Sequence, residues 1–337
     1  MEERSMRSIF VGDAGNMDYV YASETKAALC AEAGLTEKVY SKEEILSTPN
    51  AFGDVTYIFS TWGMPRFEEE EIKRIFPALK CVFYGAGSVQ GFAAPFLNCG
   101  VKVFSAWAAN GVPVAEYTVA QIILANKGFF SSSRIAKSGN REAAWENYRH
   151  YRGNYGAKVG IIGAGVIGKM VIKKLKEYRL EVMVFDPFLP DEKAEELGVE
   201  KVSLERIFSE CNVITNHLAN NSQTVGMLND RLFERMVPYA IFINTGRGAQ
   251  VVEEDLIAVL KARPDLTAVL DVTWPEPPVE GSAFYMLENC VLTPHIAGSH
   301  GDEVHRMSEY MLNEFRLYTA GEKTNYEVTL KMLETMA

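Results

Sequence analysis

Three charged residues in the second half of the chain follow apolar, strand-like runs and together could assist hydride transfer to a carbonyl group. Arg247 lies in INTGRGAQVVEEDL, Glu276 in LDVTWPEPP and His295 in LTPHIAGSH. An arginine can hold a carboxylate through two parallel hydrogen bonds. A histidine titrates near neutral pH, and a carboxylate beside it fixes its tautomer and favours the imidazolium. Hydride transfer to a 2-keto acid requires this set of a cation, a proton donor and a group that orients the donor.

A glycine motif earlier in the chain predicts where the hydride carrier binds. Gly163, Gly165 and Gly168 form GxGxxG directly after the strand-like run KVGII and at the start of a helical pattern. These glycines would permit a tight turn, close approach of a pyrophosphate to backbone N–H groups, and close packing of helix on strand. A purely structural strand–turn–helix unit is the alternative interpretation. Asp186 ends the next strand-like run, where a carboxylate binds ribose hydroxyls and repels a 2′-phosphate, so we expect NAD rather than NADP.

The elements that must position these residues follow one rhythm. Short apolar runs alternate with amphipathic segments, which is typical of βαβ units on a parallel sheet. The segment 112–130 has helical spacing and is expected to cross between two domains, and 300–318 is again helical, with no strand expected after it. The six later runs predict one doubly wound sheet. The predicted strands are 8–12, 56–60, 80–84, 101–105, 158–163, 181–186, 212–217, 240–245, 266–271 and 289–295.

Composition excludes several classes of function. A chain of 337 residues with 47% hydrophobic content exceeds what one core usually covers, so two domains are expected. A net charge of -10 disfavours a nucleic-acid partner. The five cysteines are scattered without a CxxC pair, which argues against disulfides and a zinc site, and we expect no metal. No signal peptide or membrane span is evident, which predicts a cytoplasmic protein.

These motifs together resemble the D-isomer-specific 2-hydroxyacid dehydrogenase family. The resemblance covers nearly the whole chain and is strongest at 115–297. It implies an α/β fold of two doubly wound parallel-sheet domains: a Rossmann-type NAD-binding domain at 112–298 and a discontinuous, flavodoxin-like substrate-binding domain at 1–111 and 299–337. The matching residues are GxGxxG with Asp186 in register, Asn-Thr-Gly-Arg-Gly ending at Gly248, Asp271-Val272 before Glu276-Pro277, and Thr293-Pro294-His295.

The resemblance also implies a role for each site residue. Arg247 would bind the substrate carboxylate with the backbone N–H groups of Ala86 and Gly87, His295 would be the acid and base, and Glu276 its partner. A homodimer is implied through the NAD-binding domain, with the segment after Phe130 as an arm. The residues expected to bind the cofactor are Gly163, Gly165, Val166, Ile167, Gly168, Asp186, Leu218, Ala219, Thr224, Thr245, Gly246 and Asp271, the last near the nicotinamide carboxamide.

Several interpretations stay open at the level of sequence. The substrate is a small 2-keto or 2-hydroxy acid, such as glyoxylate, hydroxypyruvate, pyruvate or a bulkier analogue. Trp62, Met64 and Trp107 would shape an apolar pocket for it or pack in the core. His217 is expected to be structural. A short-type phosphoglycerate dehydrogenase and an NADH-sensing, corepressor-like binding protein are the alternative functions, whereas a formate dehydrogenase is disfavoured because it pairs its histidine with glutamine.

Overall fold

The computed structural model describes residues 6–333. The chain divides into two compact units: one combines the chain up to Asn110 with the part from Ser299 onward, and the other comprises Gly111–Gly298. None of the helices in the described part of the chain is long and apolar enough to cross a membrane. Within 6–333 no group of His, Cys, Asp and Glu side chains could hold a metal ion.

Short strands and helices alternate along residues 6–333. The strands are β1 (Ser8–Val11), β2 (Leu35–Tyr40), β3 (Tyr57–Ser60), β4 (Cys81–Tyr84), β5 (Lys102–Ser105), β6 (Tyr155–Ile162), β7 (Arg179–Phe185), β8 (Glu200–Lys201), β9 (Val213–Asn216), β10 (Ile241–Asn244), β11 (Thr267–Leu270), β12 (Cys290–Leu292) and β13 (Glu327–Val328). The helices are α1 (Ala14–Val20), α2 (Ser23–Ala33), α3 (Lys42–Ser47), α4 (Glu69–Ile75), α5 (Ala93–Asn98), α6 (Trp107–Asn126), α7 (Phe129–Lys137), α8 (Arg141–Tyr148), α9 (Val166–Leu175), α10 (Asp191–Leu197), α11 (Leu204–Glu210), α12 (Asp230–Phe233), α13 (Glu253–Ala262), α14 (His305–Ala320) and α15 (Leu330–Leu333).

The first unit is built on a six-stranded sheet in the order β13-β5-β4-β3-β1-β2. Strands β1 to β5 run parallel, and β13 pairs antiparallel with β5. The parallel part has the order 2-1-3-4-5 of the flavodoxin-like fold. Strands β1, β3 and β4 are buried at every position, which explains why they form continuous apolar runs in the sequence.

The second unit contains a seven-stranded parallel sheet in the order β12-β11-β10-β9-β6-β7-β8. From β8 to β11 this is the Rossmann order 3-2-1-4-5-6, with β12 added at one edge. The order reverses between β6 and β9. Open α/β sheets bind ligands beyond the carboxyl ends of the strands at this reversal, and both the glycine motif and the loop after β9 begin there.

The fold class expected from the sequence is confirmed, with differences at the edges of both sheets. The prediction missed β2, β8 and β13, so the second sheet has seven strands rather than six, and the expectation that no strand follows the helix at 300–318 is wrong. The crossing helix α6 begins earlier than predicted and ends at Asn126. Gly128, with φ 64°, separates it from α7, and the polar segment after Phe130 forms α7 and α8.

Candidate active site

The glycine motif forms the turn between β6 and α9 as the sequence predicts. Gly163 has φ 92°, and a Cβ there would lie 2.9 Å from the carbonyl carbon of His217. A Cβ at Gly168 would lie 2.0 Å from the carbonyl oxygen of Gly163, so the first turn of α9 packs directly on the motif. No atom lies within 4 Å of a Cβ built at Gly165, the residue before α9. The turn therefore leaves open space at a helix amino terminus, which suits a pyrophosphate.

Asp186 follows β7 and binds the backbone of this turn. Its Oδ2 accepts the backbone N–H of Ala164 at 2.7 Å, and its Oδ1 accepts that of Phe188 at 2.8 Å. The carboxylate thus lies next to the glycine motif. A ribose attached to a pyrophosphate at that motif would therefore lie near Asp186. Val166 and Ile167 begin α9, and Val166 is exposed.

The other residues expected to bind the cofactor lie in loops after β9 and β10. Thr224 is buried, and its hydroxyl donates to the carbonyl oxygen of Ala219 at 2.7 Å, so it braces its own loop. Thr245 is buried as well, with its hydroxyl 3.0 Å from that of Thr118. Gly246 follows it in the buried turn before Arg247. Thr118 belongs to α6, and no motif in the sequence marked it.

Arg247 is half-buried in the turn after β10. Its Nη1 donates to the carbonyl oxygen of Gly246 at 2.8 Å. Burial lowers the pKa of its guanidinium, and the nearby negative charge of Glu276 opposes that shift. A Cβ at Gly248 would lie 2.0 Å from the carbonyl carbon of Thr273, so only glycine lets this turn pack against the loop that leads to Glu276.

His295 and Glu276 form the closest pair of the predicted set. His295 Nδ1 lies 2.7 Å from Glu276 Oε1, and both side chains are partly exposed, at 48% and 40%. The carboxylate therefore holds one ring nitrogen, and the other remains for proton transfer. All three predicted catalytic residues belong to the second unit.

Asp271, which follows β11, holds the turn that carries His295. His295 has φ 55°, a left-handed conformation that is uncommon for a residue other than glycine. Its N–H donates to the backbone oxygen of Asp271 at 3.1 Å. The Asp271 carboxylate is buried and accepts the Thr293 hydroxyl at 2.6 Å and the N–H groups of Ile296 and Ala297 at 2.9 and 3.0 Å. Contact between Asp271 and a cofactor stays a prediction.

Two further side chains, missed by the sequence analysis, support the loops that carry His295 and Glu276. The Tyr117 hydroxyl, on α6, lies 3.1 Å from the Thr293 hydroxyl and extends the chain of contacts that begins at Asp271. Glu253, at the start of α13, accepts the backbone N–H of Trp274 at 2.7 Å. Burial raises the pKa of Glu253. Tyr117 lies in no motif, and Glu253 lies in the Arg247 segment without a pattern that predicts its contact with Trp274.

Four of the remaining candidates belong to the first unit. Ala86 and Gly87 lie in the first unit, where the Ser105 hydroxyl donates to both of their carbonyl oxygens at 2.9 and 2.7 Å. Trp62 and Met64 pack against the hydrophobic core of that unit, which favours the core-packing interpretation.

His217 and Trp107 each contact a residue of their own unit. His217 Nε2 lies 3.1 Å from the Thr215 hydroxyl, and burial lowers the pKa of the imidazole to about 3. The ring is therefore neutral at neutral pH, in agreement with a structural role. Trp107 packs edge-on against Tyr326, with ring centroids 5.5 Å apart.

Comparison with known proteins places this site in a family context. The family model "D-isomer specific 2-hydroxyacid dehydrogenase, NAD binding domain" matches residues 119–297. The "Putative 2-hydroxyacid dehydrogenase YoaD" of Bacillus subtilis is 32% identical over 67% of this chain and 65% of its own length. A D-3-phosphoglycerate dehydrogenase of Archaeoglobus fulgidus is 33% identical over 59% and 37%, and a glyoxylate reductase of Korarchaeum cryptofilum is 29% identical over 62% and 63%. The chain thus matches less than two thirds of the length of each of these relatives.

Solved structures share the fold over nearly the whole chain. A phosphoglycerate oxidoreductase from Rhizobium etli aligns with a TM-score of 0.80 at 23% identity, covering 96% of this chain and 98% of that one. The apo form of Rhodotorula graminis D-mandelate dehydrogenase has the same TM-score and coverage at 19% identity. At these identities the likeness shows the fold alone.

Proposed function

The chain belongs to the D-isomer-specific 2-hydroxyacid dehydrogenase family and has its NAD-binding domain, and we propose that it transfers a hydride between NAD(H) and C2 of a small 2-keto or 2-hydroxy acid. The observation that carries the proposal is the 2.7 Å contact between His295 and Glu276, in the same unit as the half-buried Arg247. A cation, a proton donor and its orienting carboxylate are the groups that this reaction needs.

In the proposed reduction, Arg247 binds the carboxylate of the 2-keto acid. The imidazolium of His295 gives its proton to the C2 oxygen, while Glu276 holds Nδ1 and stabilises the charged ring. When bound, the nicotinamide supplies the hydride that C2 receives. The product is the 2-hydroxy acid, and His295 is left neutral. Oxidation runs the same steps backwards, with neutral His295 accepting the hydroxyl proton.

The residues of the second unit fit NAD on their own geometry. The open space at Gly165 and the start of α9 would hold the pyrophosphate, and Asp186 would hold the ribose hydroxyls. In this assignment 112–298 is the NAD-binding domain, and 1–111 with 299–337 is the substrate-binding domain.

NADH oxidation against a panel of 2-keto acids tests the proposal. The panel contains glyoxylate, hydroxypyruvate, pyruvate, phosphohydroxypyruvate and branched or aromatic analogues, and we expect turnover of at least one. A preference for phosphohydroxypyruvate would favour a short-type phosphoglycerate dehydrogenase. The 33% identity to the Archaeoglobus fulgidus enzyme supports this alternative. No turnover of any member would contradict the proposal and favour an NADH-sensing binding protein.

Two substitutions test the assigned roles on the preferred substrate. His295→Gln should lose most of the rate in both directions, and Arg247→Ala should abolish useful turnover, because a lost charge-assisted pair leaves the substrate carboxylate without its partner. NADH affinity should survive both changes. His150→Gln is the matched control, since His150 is exposed, stacks on Tyr239 and lies in the same unit.

A homodimer and a cytoplasmic location are further proposals. Phe129, Trp145 and Tyr148 are exposed on α7 and α8, the segment expected to form the dimer arm. Light scattering on wild type and Trp145→Ser would test whether this surface joins two copies. All five cysteines are free, which suits a reducing compartment.

A further inference from the structure

Three buried side-chain amides join the ends of two central strands in the second unit. Asn216 ends β9 and Asn244 ends β10, in register with each other, and Gln250 ends the 3-10 turn Gly248–Gln250 that follows Arg247. Each of the three is at most 1% exposed. Asn216 Nδ2 donates to Asn244 Oδ1 at 3.0 Å and to Gln250 Oε1 at 2.6 Å. The amides thus connect β9 with the turn after β10.

This network holds the backbone of Arg247 at both its N–H and its carbonyl. Gln250 Oε1 accepts the Arg247 N–H at 3.3 Å, and Asn244 Nδ2 donates to the Arg247 carbonyl oxygen at 3.2 Å. Asn244 Oδ1 also accepts the N–H of Gly246 at 3.1 Å. A Cβ at Gly246 would lie 2.9 Å from Asn216 Nδ2, so the turn packs directly on the amides. The main-chain position of Arg247 is therefore set by these side chains.

The donor end of Gln250 holds the loop after β9. Its Nε2 donates to the carbonyl oxygens of Leu218 and Ala219, both at 2.9 Å. The N–H of Leu218 donates in turn to Asn216 Oδ1 at 3.2 Å. Leu218 and Ala219 are residues that we assign to the cofactor site. The Gln250 side chain therefore contacts both the loop assigned to the cofactor and the turn that carries Arg247, which is assigned to the substrate carboxylate.

The chemistry of an amide makes this a directional link. Gln250 donates through Nε2 to the Leu218–Ala219 loop and accepts through Oε1 from the Arg247 turn. Rotating the amide by 180° would place its oxygen against the carbonyl oxygens of the loop and its NH2 group against the N–H group of the turn. Leaving a buried polar group unpaired is unfavourable, so a fully paired buried network has one favourable arrangement. A displacement of the Leu218–Ala219 loop therefore moves the amide and, with it, the Arg247 turn.

We propose that Gln250 is a positioning residue that couples the cofactor site to Arg247, so that NADH and the substrate carboxylate each tighten the binding of the other. The proposal rests on the proposed function, because it uses the role assigned there to Arg247, together with the expectation that Leu218 and Ala219 bind the cofactor. Coupling between two binding equilibria is reciprocal, so the same factor must appear whichever ligand is added first.

Calorimetric titration of the full chain with oxamate, an unreactive analogue of a 2-keto acid, measures this coupling with and without saturating NADH. In wild type, NADH should tighten oxamate binding by a factor of about 5 to 150. In Gln250→Met, which keeps the chain length and removes the amide, the factor should fall to about one. The KM of the preferred keto acid should rise more than kcat falls, since binding at Arg247 is the property that is disturbed.

A matched control separates coupling from loss of stability. Asn289 is another buried amide of the same unit, and its Nδ2 donates to the carbonyl oxygens of Leu260, Arg263 and Leu266. Asn289→Leu should lose stability and keep the wild-type coupling factor. Gln250→Glu provides a second test if Gln250→Met does not fold, because it keeps the acceptor and replaces the two N–H donors that face Leu218 and Ala219.

The outcomes distinguish this proposal from the function on which it rests. A wild-type coupling factor in folded Gln250→Met or Gln250→Glu would overturn the proposal, as would a factor of one in wild type or an equal loss in Asn289→Leu. Failure of the proposed function has a different signature, namely no turnover across the keto-acid panel or full activity in Arg247→Ala.

Discussion

At the scale of single residues, Asp186 decides which dinucleotide the site accepts. Its carboxylate adjoins the glycine turn and would repel a 2′-phosphate. Asp186→Ala should weaken NADH binding, improve NADPH binding, and so lower the preference for NADH by about tenfold or more, the factor that 1.4 kcal/mol represents. Fluorescence titration with both dinucleotides measures this ratio. Asp191→Ala, which removes an exposed carboxylate paired with Lys201, is the control, and an unchanged ratio in Asp186→Ala would show that another group selects the cofactor.

Charged residues at strand ends could be recognised from the sequence, whereas buried amides could not. Arg247, Glu276 and His295 stand out because each has a charged or titratable side chain just after an apolar run. Asn216 and Gln250 also contact the turn at Gly246 and Arg247, but each amide becomes informative only when its partners are known. Several of those partners lie 28 to 34 positions away along the chain.

At the scale of elements, the turn after β12 depends on the residue that ends β11. The Asp271 carboxylate accepts bonds from Thr293, Ile296 and Ala297 around the left-handed His295. Asp271→Asn keeps the shape of the side chain but replaces one accepting oxygen with an NH2 group. That group would face the hydroxyl or N–H donors of the turn. We expect kcat to fall, the KM of the keto acid to change little, and the free energy of unfolding to drop by about 1–3 kcal/mol.

Steady-state kinetics and urea unfolding of Asp271→Asn test this dependence. The matched control is Asp265→Asn, because Asp265 is a partly buried carboxylate of the same unit that pairs with Arg263 instead of the His295 turn. The control should lose stability without losing kcat. An unaltered kcat in Asp271→Asn would mean that the turn keeps its conformation without the carboxylate.

The elements that sequence analysis missed share a physical feature. The strands β2, β8 and β13 all lie at or next to sheet edges and carry charged residues in LTEKVY, EK and EV. Central parallel strands are covered on both faces and therefore form continuous apolar runs, whereas these three edge strands are partly solvated and have no such run. A two-residue strand such as β8 is defined by its neighbour β7 rather than by its own sequence.

At the scale of the whole molecule, the order of the strands could be inferred and many of the contacts between them could not. A series of βαβ units restricts the possible topologies, because their crossovers are right-handed. The glycine motif and Asp186 then select the Rossmann order for the second unit. Contacts such as that between Gly248 and Thr273 depend on loops whose conformations no local pattern specifies.

His217 links the central reversal of the second sheet to the pH dependence of folding. Its backbone N–H donates to the Ile162 carbonyl oxygen at 2.7 Å. The ring Nδ1 is buried with no partner among the described residues, and burial lowers the imidazole pKa to about 3. In the unfolded chain the imidazole of His217 takes up a proton below pH 6.5, whereas in the folded chain it does so only near pH 3. In that window the unfolded state binds more protons, so this group lowers the free energy of unfolding as pH falls, by about 1.4 kcal/mol per pH unit.

Urea unfolding at pH 7.5 and pH 5.0 measures this effect, which should reach about 2 kcal/mol at the lower pH. His217→Gln cannot take up the proton, so the loss of stability between the two pH values should be smaller than in wild type by that amount. His150→Gln is the control, because His150 is exposed and its replacement should leave the wild-type pH dependence intact. If His217→Gln and wild type lose the same stability on acidification, His217 is protonated in the folded chain, and its place at the reversal between β6 and β9 must then tolerate a charge.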